Sequence, residues 1–289
     1  MLVVNNFDRV AAPSWFDSPQ YAGFDARLDS GVPYIKDISY VGESWEYRRD
    51  RKYINNTAPG FGACDIDMAG FQPAGNSFDY PAVHGRELLR LGYSFCSMSR
   101  DAYTSKPREG YHVVDLICGK QISTLCGNPG KPARYKVFPK ELREAIASSV
   151  AAGTNILISG AYIATDAWDE VYPIGDSQYQ EEARSFIMDT LGYKWSTSRG
   201  SINGKVAIDG RNIQYNNELS EDIYSVETAG AIRPVSGAKL IGRYTNRTGA
   251  GVFKEFDGYK VVAWSFPLET VRGSKDLSFV FEKSMSLFE

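Results

Sequence analysis

No apolar run in this chain approaches the roughly 20 residues that a bilayer-spanning helix requires, so a membrane span is not expected. Imidazole is scarce, with His84 and His112 the two histidines. Four cysteines (Cys64, Cys96, Cys118, Cys126) stand in no CxxC pair, so no zinc-type ligand spacing is present and no metal site is expected. Cys96 and Cys118 lie in strand-like apolar runs, where a cysteine acts as a small buried hydrophobe. Neither sign of charge dominates: 32 basic against 35 acidic residues leave a net charge of −3. That balance gives no electrostatic reason to expect nucleic acid. No Walker loop, GxGxxG or GxSxG occurs, and no motif calls for a cofactor. A charged leader followed by an apolar core is missing too. The opening Met1-Leu2-Val3-Val4 reads as a core strand, as expected of a cytoplasmic chain or of a domain cut from an exported precursor.

What is present is alternation. Leu2 to Val4, Tyr93 to Met98, Val113 to Cys118, Asn155 to Ser159 and Lys260 to Ser265 are short apolar runs of the kind that form buried parallel strands. Helical patterns separate them. One follows Pro81 through Leu88 and Leu91 to Gly92. A second, behind Pro139, repeats Leu142, Ala145, Ile146 and Val150 and stops at Gly153. A third runs from about Gln178 to Leu191. The last begins at Ser274, read as an N-cap, and carries Leu277, Phe281, Met285 and Phe288 on one stripe. The 289 residues therefore predict one α/β domain over 1–289, a three-layer α/β/α arrangement with a mostly parallel sheet. Two stretches break the pattern. Residues 42–76 read as a long loop, of a length that is often functional. Residues 200–258 carry Asn203-Gly204, Asp209-Gly210 and Asp257-Gly258, predicting hairpins and a β-rich insertion.

In open α/β sheets ligands bind outside the carboxyl ends of the strands. The strand exits here carry Asn6, Asp8 and Arg9, then Gly119-Lys120-Gln121, then Ser159, Gly160, Tyr162 and Asp166, and finally Glu269. The densest constellation is Gly75-Asn76-Ser77-Phe78-Asp79-Tyr80-Pro81 with His84. His84 there is a candidate general acid/base, oriented by Asp79 or Asp8, with Ser77 or a water as nucleophile. Asn76 and Arg9 would stabilise developing charge. The competing reading makes Asp79 a helix cap, Pro81 an early-turn residue and His84 a packing residue. Aromatic rings (Trp15, Trp45, Tyr47, Tyr162, Trp168 and Tyr172 among them) would suit sugar faces at the rim.

The runs Leu2 to Val10, Ala74 to Pro81 with His84-Gly85, Val114 to Gln121, and Ser159 to Tyr162 with Thr165-Asp166 resemble a domain of Bacteroidetes exported proteins. These are labelled xanthan lyase-like and often accompany a golvesin-type carbohydrate-binding module. The resemblance implies an extracytoplasmic protein, with other domains of a longer precursor as partners, that meets polysaccharide or peptidoglycan. In architecture the chain is similar to class I glutamine amidotransferase-like (flavodoxin-like) domains, with Val261 to Thr270 resembling their closing strand. Amidotransferases place a cysteine on the turn after a central strand. Here Ser159-Gly160-Ala161-Tyr162 offers none, which implies no thiolate-dependent glutaminase. Two functions follow from these features: a hydrolase or lyase acting on a glycan through His84, or a non-catalytic module that binds carbohydrate or protein.

Overall fold

A computed structural model describes residues 1–8, 79–105, 110–123, 133–168, 176–218, 220 and 222–289, with the backbone of three short strands at 16–17, 21–25 and 44–48. Five strands run parallel: β1 (Leu2–Asn5), β5 (Cys96–Ser99), β6 (Val113–Ile117), β7 (Asn155–Ser159) and β14 (Lys260–Trp264). Their spatial order is β5-β1-β6-β7-β14, the second, first, third, fourth and fifth of the parallel set. This is the flavodoxin-like order. The α/β class and the mostly parallel sheet expected from sequence are thus found.

Side chains alternate across this sheet, as a strand's period of two demands. Val3, Val113, Leu157 and Val262 face one side, where they meet Leu88 of α1 (Tyr80–Arg90) and Val280, Phe281 and Met285 of α6 (Ser274–Ser286). Leu2, Val4, Leu116, Ile156 and Val261 face the other. There they meet Tyr103 of α2 (Arg100–Ser105), Leu142 and Ile146 of α3 (Lys140–Ala151), and Ala183 of α5 (Ser177–Phe186). β1, β6, β7 and β14 read as near-continuous apolar runs because both faces are covered, whereas the edge strand β5 is largely exposed. Among the described residues no helix is long and apolar enough to cross a membrane.

Most of the β-rich stretch extends the same sheet. Past β14 come β13 (Gly249–Glu255), β12 (Lys239–Tyr244), β9 (Lys205–Ile208) and β10 (Arg211–Gln214), all joined antiparallel. Asp209-Gly210 and Asp257-Gly258 turn hairpins as expected. Asn203-Gly204 does not. It links β9 to β8 (Tyr193–Ser201), which pairs instead with β11 (Ala229–Pro234) in a two-stranded sheet. A backbone bond from Gly230 N to Ala161 O (2.8 Å) lays that small sheet over the exit of β7.

Other expectations need adjusting. Residues 44–48 are β4 (Ser44–Arg48), paired antiparallel with β3 (Tyr21–Asp25), which pairs with β2 (Phe16–Asp17); that part of the expected loop is strand. Ser274 is the first residue of α6 rather than its cap, a position held by Gly273. The third helix ends in a π-helical turn, Ile187–Leu191. Cys96 is exposed, because β5 is the edge strand of the sheet; Cys118 is buried as expected.

One packing feature of the extension has a measurable consequence. Trp264 is fully buried at the end of β14 and donates its indole N–H to Ser284 Oγ at 2.9 Å, tying the sheet to α6. Its ring lies against the neighbouring strand at Gly251, where a Cβ would stand 2.3 Å from the ring. Gly251→Ala should therefore lower stability by about 1–3 kcal/mol, the range for overpacking a close-packed core. The urea midpoint should fall with the m-value unchanged; a midpoint equal to wild type would mean the ring has room to move.

Candidate functional site

The order of the parallel strands reverses at β1, placing the crevice where ligands bind in such folds at the carboxyl ends of β1 and its neighbours. Three strand exits meet there through Asp8. Arg100, the first residue after β5, grips the Asp8 carboxylate with both terminal nitrogens, Nη1 donating to Oδ2 at 2.9 Å and Nη2 to Oδ1. Gln121, beyond β6, donates from Nε2 to Asp8 Oδ2 (2.6 Å) and accepts from the Asp8 backbone N–H (3.1 Å). A bidentate arginine–carboxylate pair fixes geometry as well as charge. This knot separates two clefts. One, of about 520 Å³, is lined by Asn5, Phe7, Pro81, Met98 and Ser99 beside the ion pair. The other, of about 460 Å³, is lined by Tyr135, Lys136, Lys140, Arg143 and Tyr179 on the opposite side.

His84 lies elsewhere. It sits in the second turn of α1, with 0% exposure, facing the sheet. Its Nδ1 is 2.7 Å from Asp115 Oδ2, and its Nε2 is 3.5 Å from Glu269 Oε2. Glu269 Oε1 in turn accepts the Tyr224 hydroxyl at 2.7 Å, and Phe281 meets the imidazole edge-on at 5.1 Å. Burial alone would push the imidazole pKa down. The charge and hydrogen bond of Asp115, aided by Glu269, outweigh burial and push it up to about 10, so His84 is an imidazolium at neutral pH. The carboxylate that orients it is Asp115 in mid-β6, not Asp79 or Asp8. Asp79 occupies the N-cap position of α1 without a side-chain cap bond, and Asp8 belongs to the strand-exit knot.

The remaining expected site residues divide by burial. Asn6 is fully buried and donates to Cys118 Sγ at 3.3 Å. Burial pushes the Cys118 thiol up to about 12, against the pull of Asn6 and with help from Glu269 and Asp115, so it stays protonated and is a poor nucleophile. Ser159 and Tyr162 are buried at the exit of β7, and Gly160 leaves no room for a side chain against Cys118. Asp166 is buried at the start of α4 (Thr165–Trp168), where its Oδ2 accepts from Ser123 Oγ, Val137 N–H and Tyr179 OH. Of the expected substrate-binding residues, Ser159, Tyr162, Asp166 and Glu269 are at most 5% exposed and hold the fold's interior rather than a cleft wall. Arg9, Asn76 and Ser77 lie outside the described residues, as do the side chains of Trp15, Trp45, Tyr47 and Tyr172.

Sequence reasoning missed Arg100, Asp115 and Tyr224. Asp115 had a usable signal, a lone carboxylate inside the apolar run Val113 to Ile117. Arg100 had none, because it opens a six-residue helix and meets Asp8 only across the β1–β5 pair. Among the described residues no group of three or more His, Cys, Asp and Glu side chains is arranged to hold a metal ion.

No family model matches the chain, and no curated protein matches it. Solved structures similar to it include the cytoplasmic protein STM1381 from Salmonella typhimurium LT2, at 10% identity over 96% of this chain and 93% of that one, with a TM-score of 0.44. An exo-β-1,4-mannosidase, Op5Man5, from Opitutaceae bacterium strain TAV5 is similar at 11% identity over 74% of this chain, with a TM-score of 0.41; the chain spans 31% of its length. A glutamine amidotransferase (tm1158) from Thermotoga maritima is similar at 10% identity over 71% of this chain and 77% of its own, with a TM-score of 0.36. Likeness at this level says nothing about activity, and the fold assignment rests on the strand order itself.

Proposed function

We propose that this chain is a non-catalytic, glycan-binding module whose site is the cleft at the exits of β1 and β5. One observation carries the choice of binding over cleavage. The imidazole expected to act as acid/base has no exposed surface and is held as a cation between two carboxylates. A general acid/base must reach the reacting group within hydrogen-bond distance, directly or through one water. With Cys118 protonated and the β7 turn lacking a cysteine, thiolate chemistry has no candidate there either. The cleft supports the glycan class. Planar polar groups of Asn5, Asp8 and Arg100 stand beside the apolar surfaces of Phe7, Pro81 and Met98, the mixture that receives a sugar's hydroxyl edge and its C–H face. The resemblance to exported, carbohydrate-associated proteins supports the same class, and with it an encounter outside the cytoplasm as part of a larger precursor.

The test pairs two measurements on the same protein. Titration of the full chain against an oligosaccharide panel, including peptidoglycan fragments, should give saturable binding. Mass spectrometry of the same panel after prolonged incubation should give no mass change. Arg100→Ala, which frees the partly exposed Asp8 carboxylate and opens the wall between the clefts, should weaken binding at least about tenfold, because the bidentate pair fixes the geometry of that wall. A mass change in any substrate would overturn the proposal, as would the absence of binding to every glycan.

A further inference from the structure

We infer that residues 224–228 form a strap that fills, as a built-in ligand, a latent carboxylate-binding site at the exits of β6 and β7. This site lies apart from the β1/β5 cleft, and the inference does not rest on the glycan-binding reading. Open α/β sheets receive ligands at the carboxyl ends of their parallel strands. Here one irregular stretch, neither helix nor strand, crosses three of those ends. Tyr224 donates its hydroxyl to Glu269 Oε1 beyond β14 at 2.7 Å, and that hydroxyl stands 3.6 Å from where a Cβ on Gly119 would be. Glu227 Oε2 accepts from Lys120 Nζ beyond β6 at 2.9 Å. Just past the strap, Gly230 N–H donates to Ala161 O beyond β7 at 2.8 Å. The strap is tied at its back by Val226 N–H, which donates to Asn216 O at 2.9 Å.

Lys120 marks the place as a site. Its side chain has no exposed surface, whereas that of Glu227 is 15% exposed, so the carboxylate is the member of the pair that reaches solvent. A buried ammonium requires a counter-charge, and the strap supplies one. Ser225 Oγ donates to the other carboxylate oxygen, Oε1, at 2.7 Å, and so presents Glu227 already oriented. The surrounding hydrogen bonding is incomplete. Ser159 Oγ at the end of β7 and Thr228 Oγ1 in the strap are buried without a partner. Such hydroxyls are uncommon in a native interior and call for an explanation. A strap that meets the charge of Lys120 but leaves these hydroxyls unmet behaves as a stand-in for a better-fitting ligand. A free carboxylate that binds Lys120 competes with Glu227, and so draws the strap open.

Acetate is the probe, with chloride at equal ionic strength and neutral acetamide as controls. Glu227→Ala removes the strap carboxylate and clears the way to Lys120. Acetate at ten times its dissociation constant should raise the thermal midpoint of this variant by about 3–5 °C, and acetamide should not. The wild type gives a second reading that needs no variant. Acetate bound to the open strap multiplies the open population by one plus the ratio of its concentration to its dissociation constant. Hydrogen exchange at the Val226 amide should therefore rise with acetate, to about tenfold the chloride rate at that same concentration, while the amides of β6 keep theirs. Lys120→Met combined with Glu227→Leu should abolish the exchange response. Val226 exchange that stays at its chloride rate would make the pair a structural bridge and overturn the inference. Equal stabilisation of Glu227→Ala by acetamide would overturn it as well. Neither result bears on glycan binding at the β1/β5 exits, which the oligosaccharide titrations judge separately.

Discussion

His84→Ala should lower the stability of this protein by about 3–5 kcal/mol, the cost of leaving a buried charge without its partner. The imidazolium is fully enclosed, 2.7 Å from Asp115 and 3.5 Å from Glu269, so its removal strands two carboxylates beneath α1. The same arrangement dictates a pH dependence. The folded imidazole holds its proton up to about pH 10, against an ordinary value of 6.5. A group whose pKa is raised by folding stabilises the folded state fully below its unfolded pKa, and that contribution is lost as pH rises through the folded value. Wild-type stability should therefore decline between about pH 6.5 and 10, relative to a His84→Gln variant that cannot titrate. Urea midpoints of both proteins at pH 6, 8 and 10 measure this. Parallel curves would mean that His84 carries no charge when folded.

A triple variant separates architecture from chemistry at the same place. Exchanging a whole buried ion cluster for apolar residues is often neutral or stabilising, although breaking one member is costly. His84→Leu combined with Asp115→Leu and Glu269→Leu should recover much of the stability lost in His84→Ala. It should also keep glycan binding within a few-fold of wild type, since the cleft lies at the β1/β5 exits. Loss of binding by a folded triple variant would place the imidazolium in the function after all.

The scaffold was legible because its signals are local. Four buried strands announced themselves as apolar runs, the run Tyr93 to Met98 overlaps the exposed edge strand Cys96–Ser99, and Pro139 and Gly153 bracketed a helix that does run between them, over Lys140–Ala151. The alternation of strand and helix then leaves few topologies. The pairing partners were not legible, because a hydrogen bond between Arg100 and Asp8 depends on two strand exits being adjacent, which no spacing in the chain encodes. Asp115 shows the limit from the other side. A carboxylate in a fully buried strand signals a partner, but that partner, His84, sits 31 residues away on a helix and is itself shared with Glu269 on the turn after the last strand. Asn203-Gly204 failed for a related reason. It has the chemistry of a hairpin turn, yet β8 finds its antiparallel partner in β11, so the turn joins two sheets.

Asp166→Ala should be the next most damaging substitution, at about 3–5 kcal/mol. One carboxylate oxygen collects the Ser123 hydroxyl at 2.7 Å, the Tyr179 hydroxyl at 2.9 Å and the Val137 backbone N–H at 3.2 Å, so alanine strands three buried donors. Each costs about 1–3 kcal/mol when unsatisfied, and donors sharing one acceptor are not additive. Asp166→Asn keeps an oxygen for those donors while removing a charge that burial disfavours. It should lie within about 1 kcal/mol of wild type at neutral pH. Burial pushes the Asp166 carboxyl above its ordinary value, against the hydrogen bonds of Ser123, Val137 and Tyr179. A raised pKa stabilises the folded state most where the carboxyl is protonated, and that advantage fades as pH rises through the folded value. Wild type should accordingly gain on the asparagine variant as the pH falls from 7 toward 4. The effect reaches the wall of the second cleft through Tyr179, whose ring lies 4.6 Å from the Lys136 ammonium there. A long oligosaccharide spanning both clefts should therefore lose more affinity in Asp166→Ala than a monosaccharide does, provided the variant is assayed below its unfolding transition. If Asp166→Ala were as mild as a surface substitution, or Asp166→Asn as harmful as alanine, this carboxylate would not be the anchor of that wall.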